Sequence, residues 1–323
     1  MRPLKFHPIL KQTLWGGERI IPYKELASEL SRVGESWELS GMPGSESVVA
    51  EGPWTGSTLP ELIGRFGAEL LGKANYARFG QEFPLLVKFI DAREDLSIQV
   101  HPDDELARKR HGKSGKCEMW YVLEAEPGAS LLTGFSRPIA PAEYERRVAD
   151  NTLTDVLNRQ AIASGDVFYL PAGRVHSIGK GSFIVEIQQS SDITYRIYDF
   201  DRRDAAGNSR ELHTELAREA IDFESSENSR ITYAPENNQE VRLVTTPYFT
   251  TSLYTLTART RCDWSATDSF VAIVLLQGSG SLTDNEGNRI DVRQGETWLL
   301  PASTQWTEIP PHTATLRLLT SRI

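Results

Sequence analysis

The sequence has little cysteine and no long apolar run. Cys117 and Cys262 are its only cysteines, so it forms at most one disulfide. This excludes a small secreted scaffold held by several disulfides and favours a reducing compartment. The strongest apolar run, residues 270–276, is far below the roughly 20 residues that a membrane-spanning helix needs. The first residues carry basic side chains without the apolar stretch of a signal peptide. We therefore expect a cytoplasmic protein with no membrane partner.

An excess of positive charge is also absent. Lysine and arginine total 35 against 44 aspartate and glutamate residues, which gives a net charge of −9. A chain with this balance lacks the basic surface that broad nucleic-acid binding requires. With 39% hydrophobic and 24% charged residues among 323, the composition is typical of a folded globular protein rather than a disordered one. A small anionic ligand must then be held by local positive groups.

The chain predicts a mainly β fold. Most of it consists of short apolar segments separated by Gly, Pro, Asn and Asp, a pattern typical of a β-sandwich or barrel. Helical periodicity is confined to four segments, which we expect to be short additions to the β framework. Pro141 is well placed in a first helical turn, where its missing N–H costs no hydrogen bond. The four segments are 59–71, the stretch after Asp104, 142–157 and 211–223.

Two segments resemble each other across the halves of the chain. Residues 165–176 align without gaps with residues 295–306, and both read as a glycine turn, an acidic residue, an apolar strand and a proline turn. The alignment predicts two copies of one β unit, although such turns also recur by chance. Trp306 stands where the first copy has His176, so we expect no metal in the second copy. The polar stretch between Ser225 and Pro235 predicts the boundary between the units.

The densest chemical signal lies in residues 96–104, Leu-Ser-Ile-Gln-Val-His-Pro-Asp-Asp. In a strand, Ser97, Gln99 and His101 project from one face and the apolar residues from the other. Pro102 keeps His101 extended, and Asp103 is suited to capping a following helix. Taken alone, a Gln-x-His pair is more often hydrogen-bonded than bound to metal.

Two further residues complete a candidate metal site. Glu118 opens an apolar stretch that predicts a strand, and an antiparallel neighbour would bring its carboxylate beside Gln99 and His101. His176 follows the strand after Gly165 and a turn at Gly173. Taken singly, Glu118 is typical of a surface carboxylate. An amide oxygen, two imidazoles and a carboxylate together suit Zn²⁺ with one position left open.

These residues carry a family resemblance. The spacing of Gly165, Pro171, Gly173 and His176 matches the second cupin motif, and Gln99-x-His101 with Glu118 resembles the first motif with glutamine in place of its leading histidine. The sequence resembles the type I phosphomannose isomerases in their short bacterial form. The likeness covers most of the chain, including residues 15–17, 34–38, 84–92, 96–104, 186–192 and 195–199.

The resemblance implies the fold and the activity. It implies two cupin (jelly-roll) β-barrel units with added short helices. Residues 1–228 would form the metal-binding catalytic domain with helical insertions, and residues 229–323 a degenerate cupin-like domain without metal. The implied activity is the Zn²⁺-dependent interconversion of mannose 6-phosphate and fructose 6-phosphate, with one zinc per chain and a small sugar phosphate as partner. The chain lacks room between Glu118 and His176 for the large helical domain of longer family members, so the substrate channel that this insert shapes is open to question.

The resemblance also implies residue roles. Gln99, His101, Glu118 and His176 stand at the positions of the family's zinc ligands. Arg196 stands at the position of the active-site arginine. Because a guanidinium stays protonated at neutral pH, we assign Arg196 to charge stabilisation or phosphate contact.

The general base is left open among three groups. Lys88, expected at the end of a strand over 85–87, would serve if its pKa were lowered near zinc, and otherwise contacts phosphate or solvent. Glu186 is either a base or a group that orients a ligand histidine. A zinc-bound water is the third candidate. Ser97 either donates to a substrate oxygen or satisfies the backbone.

Other features are predicted to be structural. The mixed charges of residues 199–204 indicate a solvated loop with internal pairing, and Cys117 is expected to be a buried thiol. Two other functions stay open. One is a sugar-binding or regulatory metal cupin without turnover, and the other is an iron-dependent cupin oxygenase.

Overall fold

The computed structural model describes residues 1–204, 206–224 and 228–323. Strands dominate these residues, so the prediction of a mainly β protein is confirmed. In chain order the strands are β1 Leu4–Lys5, β2 Ile9–Gln12, β3 Val33–Leu39, β4 Gly41–Met42, β5 Ser45–Glu46, β6 Leu85–Ala92, β7 Ile98–Val100, β8 Glu118–Ala125, β9 Ser130–Phe135, β10 Leu157–Ala161, β11 Val167–Leu170, β12 His176–Ile178, β13 Ser182–Gln189, β14 Tyr195–Tyr198, β15 Arg230–Ile231, β16 Val241–Thr245, β17 Thr250–Leu256, β18 Thr260–Asp263, β19 Val271–Gln277, β20 Ser279–Asp284, β21 Arg289–Arg293, β22 Thr297–Leu300, β23 Trp306–Ile309 and β24 Leu316–Arg322.

The helices are short, and each of the four predicted segments contains at least one. Gly67, with a φ of +49°, divides the predicted 59–71 helix in two. The helix predicted over 142–157 stops at Ala149 and is followed by one 3₁₀ turn, while two helices near residues 20 and 76 were not predicted. The helices are α1 Ile20–Tyr23, α2 Leu59–Phe66, α3 Ala68–Leu71, α4 Lys73–Phe79, α5 Asp104–His111, α6 Pro141–Ala149, the 3₁₀ helix Leu153–Val156 and α7 Thr214–Ala220.

Local chemistry explains where these helices begin. Pro141 occupies the first turn of α6 as expected. Asp103 caps α5, because its Oδ1 accepts a hydrogen bond from the Leu106 N–H at 2.8 Å. Thr58 and Glu61 form a reciprocal capping box at α2, which satisfies two otherwise free backbone N–H groups.

The sheets stack in two sandwiches. In the first, a seven-stranded sheet (β15-β11-β8-β13-β6-β3-β2) faces a five-stranded sheet (β10-β9-β12-β7-β14). In the second, a six-stranded sheet (β1-β22-β19-β24-β17-β16) faces a four-stranded sheet (β18-β23-β20-β21), and β4-β5 form a separate hairpin. The seven- and six-stranded sheets also contribute to one shared apolar core, and α5, α6 and α7 contribute to a core with the five-stranded sheet.

Strand β6 shows how the layers arrange the interior. All eight of its residues are buried, because both faces of the seven-stranded sheet are covered. Val87 and Phe89 belong to the core shared with the six-stranded sheet. Alternation therefore turns Lys88 and Ile90 toward the five-stranded sheet. Lys88 was expected to end a strand over 85–87, which is wrong, because the strand continues through Ala92.

The two repeated segments have the same local structure. Gly165 and Gly295 have positive φ angles of +91° and +80°, a conformation that glycine adopts without strain. Four-residue strands follow both glycines, and a second strand begins at His176 in one copy and at Trp306 in the other. The guanidinium of Arg261 lies 4.3 Å from the Trp306 ring centroid, so this tryptophan contacts an arginine side chain.

The predicted boundary at residues 228 and 229 stays a prediction. Ser225, Ser226 and Glu227, at the start of the proposed linker, lie outside the described residues. Strand β15 pairs with β11 of the first sandwich, and β1 pairs with β22 of the second. In the part of the chain that the structure describes, no helix has the length and apolarity to cross a membrane.

Candidate metal and substrate site

The four predicted metal ligands meet inside the first sandwich. Gln99 lies in β7 and is paired with His176, the first residue of β12, in the five-stranded sheet. Glu118 begins β8 in the opposing seven-stranded sheet. We expected an antiparallel neighbour to bring Glu118 beside Gln99 and His101, which is wrong. The carboxylate instead approaches the imidazoles across the sandwich, because β7 and β8 belong to different sheets.

The distances within this group are short. Glu118 Oε1 lies 3.2 Å from His176 Nε2, and Glu118 Oε2 lies 3.5 Å from His101 Nε2. The Gln99 amide nitrogen lies 3.4 Å from His176 Nε2, and a half-turn of the amide exchanges this nitrogen for the carbonyl oxygen. His101, Glu118 and His176 are all buried, and one potential ligand atom from each lies within 4.8 Å of the others.

Backbone carbonyls orient both imidazoles. His101 Nδ1 lies 2.8 Å from the Ile193 carbonyl oxygen, and His176 Nδ1 lies 2.8 Å from the Arg174 carbonyl oxygen. A carbonyl only accepts hydrogen bonds, so each Nδ1 carries a proton and, in a neutral ring, each Nε2 presents a lone pair. Burial lowers the pKa of both histidines, that of His101 to about 3. The Nε2 lone pairs of both neutral rings therefore point toward the Glu118 carboxylate.

This arrangement fits a bound cation. Burial alone would raise the pKa of Glu118, but the neighbouring Lys116 ammonium holds that pKa well below its usual range. Among the described residues, His101 Nε2 and both Glu118 oxygens have no hydrogen-bond partner, although the Lys116 ammonium forms an ion pair with Glu118 Oε2. Lone pairs from neutral imidazoles and a carboxylate at these distances repel one another unless a cation lies between them. The donor set of two imidazoles, one carboxylate and one amide is compatible with Zn²⁺.

Sequence reasoning missed Lys116. This lysine is buried, and its Nζ lies 2.9 Å from Glu118 Oε2. Lys116 stands two residues before Glu118, so in extended backbone both side chains project from the same face. That spacing was the signal that could have revealed it.

Lys88 and Glu186 form a buried ion pair beside the metal ligands. Their strands pair so that the two residues are directly opposite, and Lys88 Nζ lies 3.1 Å from Glu186 Oε1. Trp120 Nε1 donates to Glu186 Oε2 at 2.9 Å. Burial lowers the pKa of Lys88, but Glu186 and Glu35 more than offset this effect, and the pKa is raised overall. The raised pKa favours a protonated Lys88, and the role of Lys88 stays a prediction.

A polar cavity of about 140 Å³ connects these groups to solvent. Its walls come from both sheets of the first sandwich and from the loop after β14. Ser97 lines this cavity and is buried, with no strand pairing of its own, because β7 begins one residue later. The lining residues are Trp15, Glu35, Lys88, Ile90, Leu96, Ser97, Gln99, Lys116, Ile178, Glu186, Thr194, Arg196 and Arg210.

Arg196 lies next to Gln99 across the sheet. It is carried by β14, the edge strand, and is the register partner of Gln99. Its Nη1 donates to the Glu211 carbonyl oxygen at 2.9 Å. The structure thus brings together every residue predicted to act in catalysis, substrate binding or metal binding, while their individual roles stay predictions.

The predictions for Cys117 and Asp199 have different outcomes. Cys117 is a buried free thiol as expected, and its Sγ accepts a hydrogen bond from the Ala172 N–H at 3.3 Å. Asp199, expected in a solvated loop, is only 5% exposed. Its predicted internal pairing is present, since Arg202 Nη2 lies 2.5 Å from Asp199 Oδ1.

The buried imidazoles predict acid sensitivity of the metal-free protein. A histidine in the unfolded chain titrates near pH 6.5, whereas His101 in the fold titrates near pH 3. The unfolded state therefore binds more protons below pH 6.5, and stability falls as the pH is lowered from 7. We expect His101 alone to contribute a loss of about 2 kcal/mol at pH 5. Urea denaturation of the metal-free protein at pH 7.5 and pH 5.0 measures this loss.

Two variants make that measurement specific. His101→Gln should reduce the loss, whereas His312→Gln, at an exposed histidine, should leave it unchanged. Equal free energies of unfolding at both pH values in the wild type would contradict the assignment of neutral imidazoles.

Sequence comparisons identify relatives that span nearly the whole chain. A family model described as the catalytic domain of type I phosphomannose isomerase matches residues 4–132. GmuF of Bacillus subtilis, a probable mannose-6-phosphate isomerase, is 34% identical over 303 residues and 93% of each chain. Mannose-6-phosphate isomerase of Streptococcus mutans is 33% identical over 302 residues, which cover 93% of this chain and 92% of the relative.

The fold is similarly matched along its full length. The crystal structure of a mannose 6-phosphate isomerase from Bacillus subtilis aligns with a TM-score of 0.90 and 30% identity, and the alignment covers 100% of both chains. The similarity therefore includes both sandwiches and the helices added to them.

Proposed function

This chain belongs to the type I phosphomannose isomerases, and from that premise we propose that it interconverts mannose 6-phosphate and fructose 6-phosphate with bound Zn²⁺. The observation that carries the proposal is the buried group of His101, Glu118 and His176. Its neighbours Gln99 and Lys116 line a polar cavity. The chain's relatives of similar length carry the name of this activity. A metal site beside a cavity with both acidic and basic walls suits an aldose–ketose isomerisation.

The proposed metal would act as a Lewis acid. Gln99, His101, Glu118 and His176 would hold one Zn²⁺ per chain, and when bound it supplies a Lewis acid for the oxygens at C1 and C2 of the sugar. Lys116 stabilises the charge of Glu118 from 2.9 Å. The two backbone carbonyls bonded to Nδ1 keep each Nε2 free of its proton, as second-sphere partners of ligand histidines commonly do.

We assign the proton transfer to Glu186. The reaction removes a proton from C2 of the aldose, and the electrons of that C–H bond form the double bond of an enediol. The same proton is then delivered to C1, while the oxygen at C1 gains a proton to become a hydroxyl and the hydroxyl at C2 loses its proton to become the carbonyl. The Glu186 carboxylate lines the cavity and is kept in place by Trp120 and Lys88. A carboxylate so positioned is able to take the proton from one carbon and return it to the next.

Lys88 then acts as a cation. Its raised pKa keeps the ammonium protonated at neutral pH, which argues against its role as base. From the cavity wall, the ammonium stabilises the negative charge that develops on the sugar oxygens and exchanges a proton with them. Arg196 supplies a second positive group for the phosphate or the developing charge, and Ser97 supplies a hydroxyl donor.

Other parts of the proposal follow from the sequence. We propose that residues 229–323 form a cupin-like domain without metal, and that the protein acts in the cytoplasm. The two buried, unpaired cysteines are compatible with a reducing compartment.

A coupled assay tests the proposed function. The zinc-loaded protein should convert mannose 6-phosphate to fructose 6-phosphate, and a chelator should abolish the conversion. Metal analysis of the purified protein separates this function from an iron-dependent oxygenase. Absence of turnover in protein that holds one zinc per chain would overturn the proposal and favour the sugar-binding cupin without turnover.

A further inference from the structure

The loop after β14 presents a second arginine to the cavity. Arg210 lies fourteen residues after Arg196 and six residues beyond the mixed-charge run 199–204 that was predicted to be solvated. Both arginines line the cavity with Gln99 and Lys88. Arg210, in the loop after β14, therefore lines the same cavity as Arg196, in the edge strand β14.

A buried carboxylate fixes the Arg210 guanidinium. Asp199 is 5% exposed, and its Oδ2 accepts a hydrogen bond from Arg210 Nε at 2.7 Å. Arg210 Nη2 donates to the other oxygen, Oδ1. A two-bond contact of this kind sets both the position and the plane of a guanidinium. Among the described residues, no acceptor is hydrogen-bonded to Arg210 Nη1, so this donor is available to a ligand.

Positive charge accumulates at this part of the cavity. Asp199 is shared between Arg210 and Arg202, and Arg202 also donates to the Asp95 carbonyl oxygen. Arg196 Nε is buried and makes no hydrogen bond. Glu211 also acts on Arg196, but its carboxylate is 84% exposed and screened by water. Two guanidiniums thus share one buried carboxylate, and Arg196 lines the same cavity without an ion pair among the described residues.

The electrostatics of Arg196 agree with this geometry. Burial is the largest effect on the pKa of Arg196 and lowers it. The nearby positive charge of Arg210 lowers this pKa further, because the two cations repel each other. A dianion placed between them would relieve this repulsion. Arginine suits such a ligand, because its planar donors match two oxygens of a phosphate.

The backbone also bends to make this contact possible. Phe200 and Asp201 have positive φ angles of +55° and +53°, a conformation that costs about 1 kcal/mol or more for a residue other than glycine. The strained pair directly follows Asp199, where the chain turns so that Arg202 and Arg210 both reach its carboxylate.

We infer that Arg210 binds the phosphate group of the substrate together with Arg196, and that Asp199 positions Arg210 for this contact. The inference rests on the proposed function for the identity of the substrate as a sugar phosphate. Arg210 is a substrate-binding residue in this account, and Asp199 is a positioning residue. Neither has a part in the proton transfer.

Equilibrium binding of D-glucitol 6-phosphate tests the inference without turnover, since this hexitol phosphate has no carbonyl to isomerise. Arg210→Met keeps the apolar stem and leaves Asp199 paired with Arg202. We expect the Kd of the zinc-loaded variant for D-glucitol 6-phosphate to rise about 10- to 100-fold, which corresponds to about 1.4 to 2.8 kcal/mol. The Kd for neutral D-glucitol should stay within twofold of the wild type. Arg203→Ala is the matched control, because Arg203 lies on the same loop and its side chain, among the described residues, donates to a backbone carbonyl alone.

Kinetics test the positioning role of Asp199. Arg210→Met and Asp199→Asn should both raise the KM for mannose 6-phosphate and leave kcat within about threefold of the wild type, because the proton-transfer groups are untouched. The double variant should have no higher KM than Arg210→Met alone, since Asp199 acts through Arg210. A loss confined to kcat in Asp199→Asn would contradict the positioning role.

The outcomes separate the inference from the proposed function. Wild-type Kd and KM values in Arg210→Met would overturn the inference and leave the isomerase intact. An equal loss of affinity for D-glucitol and its phosphate would also overturn it, because the effect would not concern phosphate. A wild type that binds the hexitol phosphate through Arg210 without converting mannose 6-phosphate would support the inference and overturn the isomerase.

Discussion

His176→Gln is expected to lose bound zinc and to lower kcat/KM for mannose 6-phosphate at least 100-fold, as changes around a metal site commonly do. The change replaces one neutral side chain by another and leaves the Lys116–Glu118 ion pair intact. Only one of the four proposed ligands is removed, so the fold should be preserved. Zinc per chain by elemental analysis and the coupled assay measure the two effects together.

An exposed histidine provides the control for this prediction. His312→Gln should retain one zinc per chain and wild-type kinetics. Full zinc occupancy and unchanged turnover in His176→Gln would contradict the placement of the metal. A melting temperature of the metal-free variant far below that of metal-free wild type would instead assign His176 a structural role.

Glu186→Gln is expected to lower kcat by about 10²- to 10⁴-fold, the usual range for loss of a general base, while one zinc per chain is retained. The amide keeps an acceptor for Trp120 but removes the charge that takes the proton. Among the described residues, it also leaves Lys88 with Glu35, at 4.0 Å, as its one remaining ion-pair partner. An unpaired buried charge is destabilising, so a second variant is needed.

The double variant Lys88→Met/Glu186→Gln removes both charges of the buried pair. It should unfold at about the same urea concentration as the wild type and be as inactive as Glu186→Gln, which separates catalysis from stability. Glu124→Gln, at a 57% exposed carboxylate on β8, is the matched control. A kcat within threefold of the wild type in Glu186→Gln, combined with a large loss in Lys88→Met, would transfer the base role to Lys88.

The sequence predicted the parts of the site that depend on local spacing. The Gln99-x-His101 alternation, Pro102 and the Asp103 cap describe a strand end followed by a helix, and these features depend only on neighbouring residues. The glycine turn and the strand before His176 also depend only on neighbouring residues. The mainly β fold and the repeated segment were predicted for the same reason.

The remaining features depend on contacts between distant residues. The role of Lys88 was left open, because its partner Glu186 lies 98 positions later and is brought opposite it only by the pairing of β6 with β13. Asp199 was read as solvated, since nothing in a run of mixed charges shows that Arg202 and Arg210 fold back onto it. Lys116 was overlooked because its burial depends on the opposing sheet.

Reconstitution of the metal-free protein with zinc tests the central claim most directly. Protein stripped by a chelator should have no activity toward mannose 6-phosphate, and the rate of fructose 6-phosphate formation should increase linearly with added Zn²⁺ up to one equivalent per chain. Bound zinc at one equivalent without any fructose 6-phosphate formed, or full activity in protein free of metal, would contradict the account.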